Sequence, residues 1–115
     1  MIITLPFPVS VNGAYNGGSG QRRFKSKSLK AWLAKCPSEL SERVKVYPVH
    51  IHYTFAWPCA RERDGNNYTK VVLDYLVNMG VLIDDNYKFV ASETWSHIGI
   101  DRKNPRVEVC INEKK

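Results

Sequence analysis

The stretch Arg61-Glu62-Arg63-Asp64-Gly65-Asn66-Asn67-Tyr68-Thr69-Lys70 gathers acids, amides and cations at what reads as the mouth of a helix, and Asp84-Asp85 follow about one helix later. The chain carries a net charge of +6 and has little structural reason to collect acids here. It has a chemical reason if the acids hold a metal ion while the cations hold phosphate. Phosphodiester cleavage needs a water attacking phosphorus in line and a stabilised leaving oxygen, and magnesium serves both needs. Magnesium takes oxygen ligands, keeps several waters and needs few carboxylates from the protein. A nearby lysine can steady the phosphate or the transition state. Asp64 and Asp85 are the candidate carboxylates, with Lys70 as the candidate ammonium. Arg61 and Arg63 add cations just before the helix, and Asn67, Asp74 and Asp84 are candidates for support. Taken singly, Asp64 reads as a turn aspartate, Lys70 as a solvated helix lysine and Asp84-Asp85 as a loop pair. Their combination points to chemistry.

A helix must present these groups. Tyr68, Val71, Val72, Tyr75, Leu76 and Met79 form a continuous apolar stripe at helical spacing. Asn66 or Asn67 suits the N-cap and Gly80 the C-terminal stop. Lys70 and Asp74 share one polar face. Residues 67–79 as a helix span roughly 20 Å. The extended chain from Gly80 to Asp85 reaches at most roughly 17–18 Å. Asp85 therefore meets the mouth of the helix only if that segment doubles back along it. A partner subunit supplying half of the site is the other arrangement the sequence allows.

The rest of the chain reads as an α+β fold, a small mixed sheet of about four strands with two main helices. Ile2 to Phe7 is a short strand. Ser10 to Gly20 is loop chemistry, leading into the basic run Gln21 to Lys27. Ser26 or Ser28 can cap a helix from Leu29 to about Cys36, whose stripe of Leu29, Trp32 and Leu33 reads as core. From Val46 to Trp57 residues alternate, with Val49, Ile51, Tyr53 and Phe55 on one face and His50, His52 and Thr54 on the other. The histidine pair reads as strand surface. Phe89 to Trp95 and Arg106 to Ile111 read as two further strands, joined as a closing hairpin or meander.

Composition narrows the class. With 115 residues, 43% hydrophobic and 24% charged, the chain reads as a single 1–115 domain. No apolar run approaches the roughly 20 residues that cross a bilayer. The start of the chain lacks the pattern of a signal peptide, so the expected location is the cytoplasm of a bacterial host. Cys36, Cys59 and Cys110 are odd in number and far apart, which argues against a disulfide framework or a zinc site. The basic balance favours a nucleic-acid partner. Arg22, Arg23, Lys25, Lys27 and Lys30, with Arg61 and Arg63, are the candidate phosphate contacts. Arg102, Lys103 and Arg106 add a second basic stretch.

At these residues the chain resembles the RusA-like Holliday junction resolvases of phages and prophages. Their centre reads approximately Arg-Asp-x-Asp-Asn-x-x-Lys-x-x-x-Asp, with an acidic pair after the helix. The matching residues are Arg63-Asp64-Gly65-Asn66-Asn67-Tyr68-Thr69-Lys70, then Asp74, Gly80-Val81 and Asp84-Asp85, without a gap. Leu5-Pro6-Phe7-Pro8 with Ser10 and Asn12 is similar to the family's opening. The resemblance implies a homodimeric endonuclease, dependent on Mg2+ with Mn2+ as a substitute, that cuts four-way DNA junctions by paired nicks in recombination and repair. Asp64, Lys70 and Asp85 would be catalytic, with Asp64, Asn66 and Asp85 around the metal. One position departs from the pattern: Asn66 stands where the family has a second aspartate. An amide oxygen can ligate magnesium but brings no charge and cannot act as a base. The expectation is weakened cleavage, and the alternative is a non-catalytic binder of branched DNA with the same fold.

Overall fold

The computed structural model describes residues 1–16 and 24–113. Arg22 and Arg23 lie outside the described residues. The elements are β1 (Ile2–Pro6), α1 (Val11–Ala14), β2 (Tyr15–Asn16), β3 (Phe24–Lys25), α2 (Lys27–Lys35), β4 (Val49–Trp57), α3 (Asn66–Asn78), β5 (Val90–Ile100) and β6 (Arg106–Glu113). This is the expected α+β architecture, a mixed sheet of four strands with two main helices. The stretch read as loop also holds the single turn α1 and the strand β2, which pairs antiparallel with β3 in the basic run.

Period-2 alternation decides which sheet face is covered. Ile3 and Leu5 of β1, Val49, Ile51, Tyr53 and Phe55 of β4, and Val107, Val109 and Ile111 of β6 are buried in one core. Tyr68, Val71, Val72, Tyr75 and Leu76 of α3, with Leu29 and Trp32 of α2, complete that core. The other face carries the histidines, as expected. His50 Nδ1 meets Ser92 Oγ, and His52 meets Thr94 Oγ1 at 2.6 Å and Ser96 Oγ at 2.8 Å.

The sheet order is β1-β6-β4-β5. This corrects one expectation, because β5 and β6 do not form a hairpin. β5 pairs parallel to β4, whereas β6 pairs antiparallel to both β4 and β1. A parallel neighbour needs a crossover, and α3 supplies it, so β5 takes the outer edge beside β4. The other edge of β4 is then the free one. The turn after Ile100 therefore carries the chain past the end of β4, where Asp101 N–H donates to Trp57 O at 2.8 Å.

The helix ends follow from local chemistry. Ser26 is the N-cap of α2: its hydroxyl accepts the Leu29 N–H at 3.1 Å and donates to Gly13 O at 2.7 Å. One oxygen thus caps α2 and ties it to α1. Trp32 is core, as its stripe suggested, and its indole donates to Pro6 O at 2.9 Å. At the end of α3, Val81 N–H bonds to Leu76 O and Gly80 N–H to Val77 O, both at 3.0 Å. That is a Schellman pattern, and Gly80 takes the required left-handed φ of 79°. The motif reverses the chain so that Val81 and Leu82 are buried and the following residues run back toward the start of α3.

Candidate active site

Two groups of residues line the first turns of α3. The first is its mouth. Asp64 Oδ1 accepts the Asn66 backbone N–H at 3.0 Å, an Asx-type turn that starts the helix. The N-cap position belongs to Gly65, not to Asn66 or Asn67, because the Asp64 side chain already supplies the capping bond. Gly65 has ordinary helical φ and ψ of −56° and −30°. It is glycine for a steric reason. The indole of Trp95 lies against it, and a Cβ there would stand 2.3 Å from Trp95 Cδ2. The same indole donates its Nε1–H to Asn66 Oδ1 at 3.1 Å. Asn67 exposes its side chain on the first turn and gives its backbone N–H to Asp64 O at 3.0 Å.

The second group is ionic. Lys70 Nζ lies 2.8 Å from Asp85 Oδ2 and 3.0 Å from Asp74 Oδ1. Asp85 thus reaches the second turn of α3, because the chain doubles back after Gly80. Hydrogen bonds donated to Asp85 and then Asp74 push the Lys70 ammonium above its usual range. In turn, the Lys70 hydrogen bond holds the Asp85 carboxyl below the usual carboxylate range. Asp84 does local work instead. Its Oδ1 accepts the Asp85 N–H at 2.7 Å and its Oδ2 the Asn86 amide at 3.3 Å, which shapes the turn that aims Asp85.

Reasoning from sequence missed three residues behind this site. Glu93 and Trp95 pair in register with Ile51 and Tyr53, so both point to the helix-covered face of the sheet. Burial raises the Glu93 carboxyl; the charge of Lys70 lowers it, and that of Asp85 raises it again. Glu93 still keeps part of its surface in solvent. Tyr53 is the third. Its hydroxyl is buried without a hydrogen-bond partner among the described residues. Burial, then Glu93 and Asp74, push that phenol strongly upward. Alternation within β5 signals that Glu93 and Trp95 share a face. Only the parallel pairing with β4 shows that this face looks onto α3.

The cations divide as well. Arg61, Lys25, Lys27 and Lys30 are exposed and available to a polyanion. Arg63 is turned inward: it donates to Cys59 O at 3.2 Å and Arg61 O at 3.1 Å, and lies over the rings of Phe7 and Trp57. Arg106 is engaged by Asp101 and Glu108, each at 2.9 Å, whereas Arg102 and Lys103 are exposed. The three cysteines are free thiols, and burial pushes Cys36 up to about 12.

The donor set suits a hard, hydrated cation. Asp64 and Asp85 offer carboxylate oxygens at the surface, and the second Asp64 oxygen has no hydrogen-bond partner among the described residues. Among the described residues no three His, Cys, Asp or Glu side chains gather closely enough to hold an ion unaided. Carboxylate oxygens suit a hard cation such as magnesium better than zinc, whose structural sites favour a closed set of nitrogen and sulfur ligands. Among the described residues no helix is long and apolar enough to cross a membrane.

The model of the family described as Endodeoxyribonuclease RusA matches residues 6–112. No curated protein matches the chain.

Proposed function

The chain belongs to the RusA endodeoxyribonuclease family of Holliday junction endonucleases, and from that premise we propose that it cuts four-way DNA junctions by paired, magnesium-dependent nicks. The observation that carries the reading is the Lys70 ammonium set between Asp85 and Asp74, on the helix that Asp64 opens. A bound magnesium ion supplies water activation and neutralises charge developing on the phosphate. Asp64 and Asp85 would hold it. Lys70 leaves its carboxylate partners in part to meet the scissile phosphate, whose charge grows during attack. Arg61, Lys25, Lys27 and Lys30 hold the backbone of the arms, which gives salt-sensitive binding without a base code of its own. A homodimer fits paired nicking, because two-fold symmetry presents two equivalent sites to a junction with two equivalent strands.

Asn66 tunes this activity downward. Where the family pattern has a carboxylate, the amide adds no negative charge, so metal affinity falls. Asn66→Asp is expected to lower the magnesium concentration for half-maximal cleavage. An unchanged concentration removes any metal role for that position. Asn66 also favours the second reading, a binder of branched DNA that does not cut.

Incubation of the chain with a labelled four-way junction in Mg2+ and in Mn2+ separates the two. Paired nicks by the native chain, absent with Asp85→Asn, support the nuclease. Tight junction binding without nicks under saturating Mn2+ supports the binder. Indifference to DNA shape, with linear duplex bound equally well, overturns both.

A further inference from the structure

We propose that Trp95 is a positioning residue that fixes the Asn66 side chain as a hydrogen-bond donor to a phosphodiester oxygen of the bound DNA. The identity of that acceptor rests on the nuclease reading above. The orientation of the amide rests on the geometry alone.

An indole N–H can only donate. The Asn66 atom it meets at 3.1 Å is therefore the amide oxygen, and the amide nitrogen faces the other way. Asn66 is exposed, and its amide nitrogen has no hydrogen-bond partner among the described residues. What the mouth of α3 offers outward is thus a pair of N–H donors. Packing sets their aim, since the indole ring is pressed against the Gly65 backbone and cannot swing without leaving it. Asn66 and Lys70 are four apart on one helix, so the amide donors and the ammonium share a face. Two donor groups in a row suit the oxygens of a phosphodiester. A carboxylate at position 66 would accept the same indole N–H and leave an anion facing the phosphate. The amide turns the same anchor into an attractive contact.

The test is junction affinity without metal. The dissociation constant of a labelled four-way junction is measured in EDTA for the native chain, Trp95→Phe, Asn66→Ala and the double variant. Trp95→Phe keeps an aromatic ring near Gly65 and loses the N–H together with the five-membered half of the indole, and thermal unfolding checks that it is folded. Asn66→Ala is expected to weaken binding about tenfold, the size of one hydrogen bond to a charged group. Trp95→Phe is expected to weaken it about three- to tenfold, and the double variant no further than Asn66→Ala alone. A merely structural role for Trp95 gives losses that multiply. Native affinity in Trp95→Phe, or fully multiplied losses, overturns the proposal. Asn66→Asp offers a second route that leaves Trp95 in place. It is expected to bind the metal-free junction more weakly than Asn66→Ala, and equal or tighter binding overturns the proposal. A native chain that ignores junction shape removes the nuclease reading itself, a result distinct from native binding without coupling.

Discussion

At the mouth of α3, Gly65 and Asn66 are held by an indole, through close ring packing and one neutral hydrogen bond. One turn further on, Lys70 is held by Asp85 and Asp74, with about half of its side chain in solvent. The first arrangement has little to lose to salt or pH. The second is made of exposed charges, which salt screens and which DNA or a cation can replace. A nuclease needs both kinds. Its reacting groups must exchange partners when substrate arrives, and something adjacent must stay fixed while they do. Here the fixed part comes from β5, the strand at the sheet edge, and the exchangeable part from the helix and the returning loop.

This contrast can be broken from either side. The largest effect is expected on chemistry at the ionic group. Lys70→Ala or Asp85→Asn should lower single-turnover cleavage by about 100-fold or more. Their unfolding free energy should change by less than about 1 kcal/mol, because the pairs are partly exposed. Equal damage to rate and stability would mean that the cluster is a structural brace. Gly65→Ala attacks the other side. Its backbone tolerates alanine, so the cost is the collision with Trp95, about 1–3 kcal/mol in chemical denaturation. Trp95→Ala in the same chain should remove most of that cost. Next in size is the Ser26 cap, where Ser26→Ala is expected to cost about 1 kcal/mol by thermal unfolding without changing cleavage.

The smallest expected effect sharpens the comparison within the ionic group. The Asp85 carboxyl is lowered on folding, so its contribution to stability is present above about pH 4 and is lost as pH falls through the depressed value. The Glu93 carboxyl is raised, so ionising it opposes folding. That opposition is absent below its ordinary value and grows as pH rises through the raised one. Glu93→Gln should therefore stabilise the protein at pH 7 by less than about 0.5 kcal/mol, since part of the group stays in solvent. The gain should vanish at acid pH, and pH-dependent melting would show it. A loss of stability at pH 7 would contradict the assigned sign.

Much of this site was legible because it is written locally. The apolar stripe from Tyr68 to Met79 located α3 to within one residue at each end, and Gly80 ended it for the reason glycine usually does. Lys70 and Asp74 needed only helical spacing. Chain length allowed the return of Asp85 without requiring it, and the sequence left a partner subunit as the other source. The features that escaped are the non-local ones. A hairpin between β5 and β6 looked natural because sequence neighbours usually pair, and only the crossover through α3 rules it out. Trp95 read as one more strand aromatic. Its importance comes from Gly65, which is distant in sequence and carries no periodic mark. Gly65 carried no signal of its own beyond its place at the mouth of the helix; its backbone is helical and its constraint is the ring above it.

The first strand has one partner in the sheet, β6, and the Met1 amine reaches Ile111 O at 3.3 Å. Every residue between those two strands must therefore be synthesised before the hydrophobic segment with Ile3 and Leu5 finds its place. Until then it is exposed to chaperones and proteases while β4, α3 and β5 assemble locally.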